Sequence, residues 1–313
     1  MTRTVASLFF ILIGMGAMWG ATPPLYKIAV EAGLPLYGLL FWQSALMTIC
    51  FSAYLLMRGR MIPLTAAALE RYVMIALFGS VIPSFAAFTA VDHLPSSIMS
   101  ILISTVPMLT LPIAATLGLD RFEPKRVLGL GLGLVGVAML TFSDGLGDVS
   151  GAASVVWVLV ALSSSLCYAI EGNYVASRGL GELDAISALC GASILGTVLV
   201  LPAMLVSGDW ISPLPPYDLP KSAFALSILI HVFTYSTYVW LLGRTGAVFA
   251  SQVGYLVTLF GVFWAWMILG EVLPPLVWVA LAVMLFGLFC VQPRPREALA
   301  AVAMQGHDKT GET

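Results

Sequence analysis

The sequence predicts an all-α integral membrane protein, with ten transmembrane helices folded as two inverted five-helix repeats. Three observations predict it. Hydrophobic residues make up 60% of the 313 and charged residues only 10%, where a soluble domain carries roughly 25% charge. Runs of about 20 apolar residues recur along the chain, each long enough to cross a bilayer. Residues 107–136 can also be laid on 258–287 at one constant offset, without a gap.

The composition fixes the solvent. A mean hydropathy of +0.99 describes a chain that would precipitate from water, so its medium is lipid. A net charge of −2, with no basic patch interleaved with aromatics, excludes a nucleic-acid partner. Cys50, Cys167, Cys190 and Cys290 lie inside apolar runs and at no metal spacing, so they read as small core residues. The N-terminal apolar run lacks an A-x-A cleavage pattern and reads as the first membrane helix, not a signal peptide.

The spans fall at roughly 5–27, 34–57, 70–91, 96–117, 124–143, 152–175, 183–206, 220–242, 246–269 and 272–291. Short connections leave no room for an inserted soluble domain. Lys and Arg divide unequally between the two sides. Arg3, Arg58, Arg60, Arg71, Arg121, Lys125, Arg126, Arg178, Arg244, Arg294, Arg296 and Lys309 share the side of the N-terminus, leaving only Lys27 and Lys221 of the 14 opposite. The positive-inside rule then puts both termini in the cytoplasm.

In the repeat, "PMLTLPIAATLGLDRFEPKRVLGLGLGLVG" lies on "TLFGVFWAWMILGEVLPPLVWVALAVMLFG", so Asp120 falls on Glu271 and Gly136 on Gly287. Upstream, Trp19 falls on Tyr168 and Gly33 on Gly181. Each half holds five spans, an odd number, so the second half enters the membrane from the opposite face. The expected units are residues 5–143 and 152–291, followed by a polar cytoplasmic tail at 292–313.

At these residues the chain resembles the drug/metabolite transporter superfamily, with two EamA-type domains of five helices. "MWGATPPLYKIAVEAGLPLYGLLFWQ" (18–43) looks like the family's opening helix pair. "LGE" (269–271) looks like its acidic turn before the last helix, and "LGLD" (117–120) is a weaker copy. The resemblance covers about residues 5–291. It departs from the family at Gln43, where Arg is frequent, and at Thr258, where Pro is usual. It implies a secondary transporter of the bacterial plasma membrane, a monomer or homodimer that alternates access to a central cavity. The implied cargo is a small polar or aromatic, amino-acid-like metabolite, with proton-coupled export as the commonest mode. Import of a vitamin or a quaternary amine, such as riboflavin or choline, is the alternative. No cofactor is implied.

The polar residues inside the spans are the candidate binding groups. Pro23 and Pro24 should end the first helix beside the cavity, with Lys27 snorkelling at its outer mouth. Ser164, Tyr168 and Glu171 lie at i, i+4 and i+7 in span 6, and His231, Tyr235 and Tyr238 repeat that spacing in span 8. Such faces should turn inward, because lipid offers no hydrogen-bond partner. Glu171 is the one acidic residue placed within a span and away from its loop-proximal ends, which marks it as a candidate proton carrier or cation ligand. Trp19, Trp42, Tyr168, Tyr235, Tyr238 and Tyr255 would suit planar or cationic ligands, and Gln43 completes the candidate set. Ser97, Ser100 and Ser104 in span 4, with Ser251 and Gln252 in span 9, form further stripes. Their serines, like Gly16, Gly20, Gly129 and Gly133, are the residues that let helices pack closely.

Enzyme chemistry lacks its parts. The chain has no H-E-x-x-H, no G-x-S-x-G and no P-loop. "GLGD" (145–148) matches the G-x-G-D of intramembrane aspartyl proteases, but it falls in a loop, and no span supplies the second Asp.

Overall fold

The computed structural model describes residues 3–119, 123–143, 152–245 and 253–291. Among them the secondary structure is helical. The segments are α1 (Arg3–Gly20), α2 (Thr22–Glu31), α3 (Leu36–Met57), α4 (Ala66–Met74), α5 (Ile82–Val91), α6 (Ser96–Leu102), α7 (Val106–Thr116), α8 (Pro124–Thr141), α9 (Ala152–Arg178), α10 (Ala185–Ser207), α11 (Leu219–Thr245), α12 (Val253–Leu269) and α13 (Pro275–Val291). A π-helical turn at Ile75–Val81 joins α4 to α5, and a 3₁₀ turn at Ile103–Thr105 joins α6 to α7. Counting α1 with α2, these make ten spans close to the expected ones. Seven described helices are at least 18 residues long and apolar enough to cross a bilayer. Asp120, Arg121, "GLGD", Ser251, Gln252 and the tail 292–313 lie outside the described residues.

The first span departs from expectation. Pro23 and Pro24 do not end a helix. They open α2, where a missing N–H breaks no intrahelical bond, and the break falls at Ala21. Pro23 cannot donate to the Trp19 carbonyl, and the Thr22 hydroxyl donates to it instead at 2.8 Å. The helix therefore continues to Glu31, one turn beyond the predicted end.

Lys27 does not snorkel. Its ammonium donates to the carbonyls of Val91 (3.2 Å) and Leu94 (3.1 Å) and pairs with Glu31 at 3.2 Å. Because α2 packs on α5, the unpaired carbonyls and negative dipole end of α5 come within its reach. From the other side, Glu271 caps α6. Its carboxylate accepts from the backbone N–H and hydroxyl of both Ser96 and Ser97. The connector 92–95 is thus held at both ends.

Small residues bring helices into backbone contact. A Cβ on Gly20 would sit 2.8 Å from the Gly261 nitrogen of α12, and one on Gly287 would sit 2.7 Å from the Gly129 carbonyl of α8. The principal pairings are α1 with α12, α2 with α11, α3 with α10, α6 with α12, α8 with α13, and α9 with both α5 and α7. The largest core cluster gathers α1–α5 against α9–α12. Cys50, Cys167, Cys190 and Cys290 are free thiols.

At one end of the bundle Arg60 pairs with Asp184 at 2.9 Å, and Arg71 donates to the Gly179 carbonyl. At the other, Asp209 accepts from the Tyr37 amide and Trp42 donates to the Ile211 carbonyl. Residues expected on one side of the membrane therefore meet one another.

Candidate functional site

Helices α9 and α11 each present one face at i, i+4, i+7 spacing, and the two faces meet. Tyr235 of α11 donates its hydroxyl to Glu171 Oε1 of α9. Both residues are buried, Glu171 at 3% exposure and Tyr235 at 1%. Trp19, in the last turn of α1, closes the cluster. Its ring lies 5.9 Å from His231, 6.3 Å from Tyr235 and 5.6 Å from Tyr238, centroid to centroid.

These residues line a cavity of about 110 Å³. Tyr168, Ser164, Tyr26, Thr22 and Pro23 line it too, with Val253, Gly254 and Val257 of α12 on another wall. Glu171 is the one carboxylate among the lining residues, and neither Lys nor Arg is among them. His231 is 2% exposed, and neither of its ring nitrogens has a hydrogen-bond partner among the described residues.

Six of the eight predicted site residues therefore meet in one cavity: Trp19, Tyr168, Glu171, His231, Tyr235 and Tyr238. Gln43 and Tyr255 do not line it. Gln43 is buried, donating to the Ser84 hydroxyl at 2.9 Å. Tyr255 packs against the cluster of Met108, Leu111 and Leu288. One residue step along a helix is about 100° of rotation, so its neighbour Gly254 faces the cavity and Tyr255 does not. Trp42 instead meets Phe41 edge-on and Trp210 at a tilt.

The serine stripe of span 4 serves packing and capping. Ser97 binds Glu271, the Ser100 hydroxyl donates to the Ser96 carbonyl at 2.9 Å, and Thr258 donates to the Ser100 carbonyl at 3.0 Å.

Sequence reasoning missed Gly79. It sits in the π turn, and a Cβ built on it would lie 2.7 Å from Glu171 Cδ and Oε1, and nearer still to the Tyr235 hydroxyl. Only glycine lets that backbone close on the pair. The turn itself has a cause. Ile82 donates five residues back, to Leu77, and Pro83 has no N–H to give to Gly79 or Phe78. The available signal was "FGSVIP", a Gly and a Pro four residues apart inside an apolar span.

The model of the EamA-like transporter family matches residues 6–142 and 155–292. An uncharacterized inner membrane transporter of Escherichia coli (strain K12), YedA, is 25% identical over 298 residues, 92% of each chain. A protein of Chlamydia trachomatis serovar L2 named S-adenosylmethionine/S-adenosylhomocysteine transporter is 25% identical over 291 residues, 89% of this chain and 86% of that one. A crystal structure superposes with a TM-score of 0.56 at 18% identity, over 88% of this chain and 97% of that one, which is a likeness of fold.

Proposed function

Because the chain belongs to the EamA-like transporter family, itself part of the drug/metabolite transporter superfamily, we propose that it is a secondary active transporter of one particular kind. It moves a small polar or aromatic, amino-acid-like metabolite across the plasma membrane by alternating access, as a proton-coupled exporter. It works as two inverted repeats, 5–143 and 152–291, with both termini and the tail 292–313 in the cytoplasm.

The helix pairings support the repeat. Exchanging the halves turns the contact of α1 with α12 into that of α9 with α7, and the contact of α2 with α11 into that of α9 with α5. The pairs α3 with α10 and α8 with α13 map onto themselves. A cavity walled by both halves is where such repeats bind cargo.

The observation that carries the function is Glu171, a carboxylate buried within α9 and bonded to Tyr235. A buried carboxylate stays charged only at a cost of several kcal/mol unless a proton or a cation joins it. In this reading a proton and the cargo's polar head take turns on it, so loading one releases the other. The aromatic rings hold the cargo's body by stacking.

The test is transport in proteoliposomes under an imposed pH gradient. Wild type should move cargo against its gradient as protons run down theirs, and Glu171→Gln should bind and fold but lose that coupling. Unchanged transport by Glu171→Gln between about pH 5 and pH 8 would remove Glu171 as the proton carrier. A second reading takes its support from the Chlamydia relative's name. An S-adenosyl compound would offer a planar base to the same rings, and competition by unlabelled compound would reveal it.

A further inference from the structure

We propose that the cavity selects organic cations, recognising an ammonium or similar onium group on a planar body and discriminating against carboxylates on the same body. This rests on the reading of the cavity as the cargo site and narrows its cargo from amino-acid-like metabolites in general to amines of that kind without the carboxylate.

Three observations carry it. The first is the charge inventory. Glu171 is the one carboxylate among the lining residues, with neither Lys nor Arg beside it. The nearest cation on the first span, Lys27, is engaged at the end of α5 by the Val91 and Leu94 carbonyls and by Glu31. An ionised Glu171 therefore takes its counter-charge from what enters the cavity.

The second is the arrangement of the rings. Trp19, Tyr168, Tyr235 and Tyr238 all line the space into which Glu171 is set, with the indole 5.6 Å from the Tyr238 ring. Aromatic faces carry negative charge density and attract a desolvated cation, while they offer a carboxylate nothing.

The third is what a carboxylate would meet. The polar groups at hand are hydroxyls and the nitrogens of His231, which have no partner among the described residues. A cargo carboxylate would be buried near Glu171 without a cationic partner, the costliest arrangement of like charges. A zwitterion would gain at its ammonium and lose at its carboxylate. The corresponding amine keeps the gain alone.

The experiment is a binding series on the detergent-purified full chain, by calorimetry near pH 7.5, with three probes sharing one ring system. Tryptamine is a cation, tryptophan a zwitterion and indole-3-acetate an anion. Tryptamine should bind about tenfold tighter than tryptophan, with indole-3-acetate weakest. In Glu171→Gln the preference of tryptamine over tryptophan should shrink to about twofold or less, and Trp19→Ala should weaken all three. The wild-type series stands by itself should a variant fail to fold. Tryptophan or indole-3-acetate binding as tightly as tryptamine, with Trp19→Ala still weakening both, overturns the cation preference and leaves the cargo site standing. A series in which none binds, or none responds to Trp19→Ala, overturns the cargo site and the preference with it.

Discussion

Glu271 and Ser97, 174 residues apart in the chain, meet through one carboxylate oxygen that accepts both the Ser97 backbone N–H at 2.9 Å and its hydroxyl at 2.5 Å. Ser96 makes the same pair of bonds to the other oxygen. A carboxylate here satisfies the first free N–H groups of a helix and sits at the positive end of its dipole. Glu271→Ala should therefore lower stability by about 2 kcal/mol. Thermal unfolding in detergent reads it, and a midpoint equal to wild type would mean the cap is idle.

Gly79→Ala should act on the site from a helix that contributes no charge to it. The new methyl would collide with the Glu171 carboxyl and the Tyr235 hydroxyl, and overpacking of this kind costs about 1–3 kcal/mol. Cargo affinity should fall about tenfold. If binding isotherms of Gly79→Ala and wild type superimpose, the π turn does not set the geometry of the pair.

Two tyrosines separate the cavity from its surroundings. Tyr238→Ala removes a ring that faces Trp19 and should weaken cargo binding about tenfold. Tyr255→Ala removes a ring outside the cavity and should leave affinity within about twofold. The reverse order would exchange their assignments.

Asp184 gives a pH dependence outside the membrane. It caps α10 by accepting from the Ser187 amide at 3.0 Å and pairs with Arg60. Burial alone would raise its pKa, but the bonds from Ser187 and Arg60 outweigh it and hold the carboxyl below its ordinary 3.8. A depressed carboxyl stabilises the folded state above the unfolded value, and that stability is lost as pH falls through the lower folded value. Asp184→Asn should be less stable than wild type near pH 7, with the gap closing below about pH 3.8. A gap that persists in acid would assign the effect to shape.

The helical period made much of the site legible. Residues at i, i+4 and i+7 on α9 and α11 had to share faces, and the lack of partners in lipid turned those faces inward. What a period cannot supply is the rotation of one helix against another, and that rotation turns Tyr255 of α12 away from the cavity while its neighbour Gly254 lines it. Nor does it supply distant partners. "LGE" was readable as an acidic turn, but nothing in the chain names Ser96 and Ser97 as its receivers. The missing donors of Pro23 and Pro24 predict a helix end, and the same missing donors are harmless in the first turn of a helix, which is where α2 places them. Gly79 escaped because a small residue in an apolar run has many uses, and only its neighbours reveal which.

The connector 92–95 behaves as a yoke. Lys27 holds the carbonyls at one end of it and Glu271 the amides at the other, so α2 and the turn before α13 are coupled in torsion through four residues that neither contributes. Turning either independently strands amides or carbonyls at about 1–3 kcal/mol each. That face is therefore tied by charged groups, and neutralising substitutions at position 27 or 271 should loosen it where trimming apolar bulk would not.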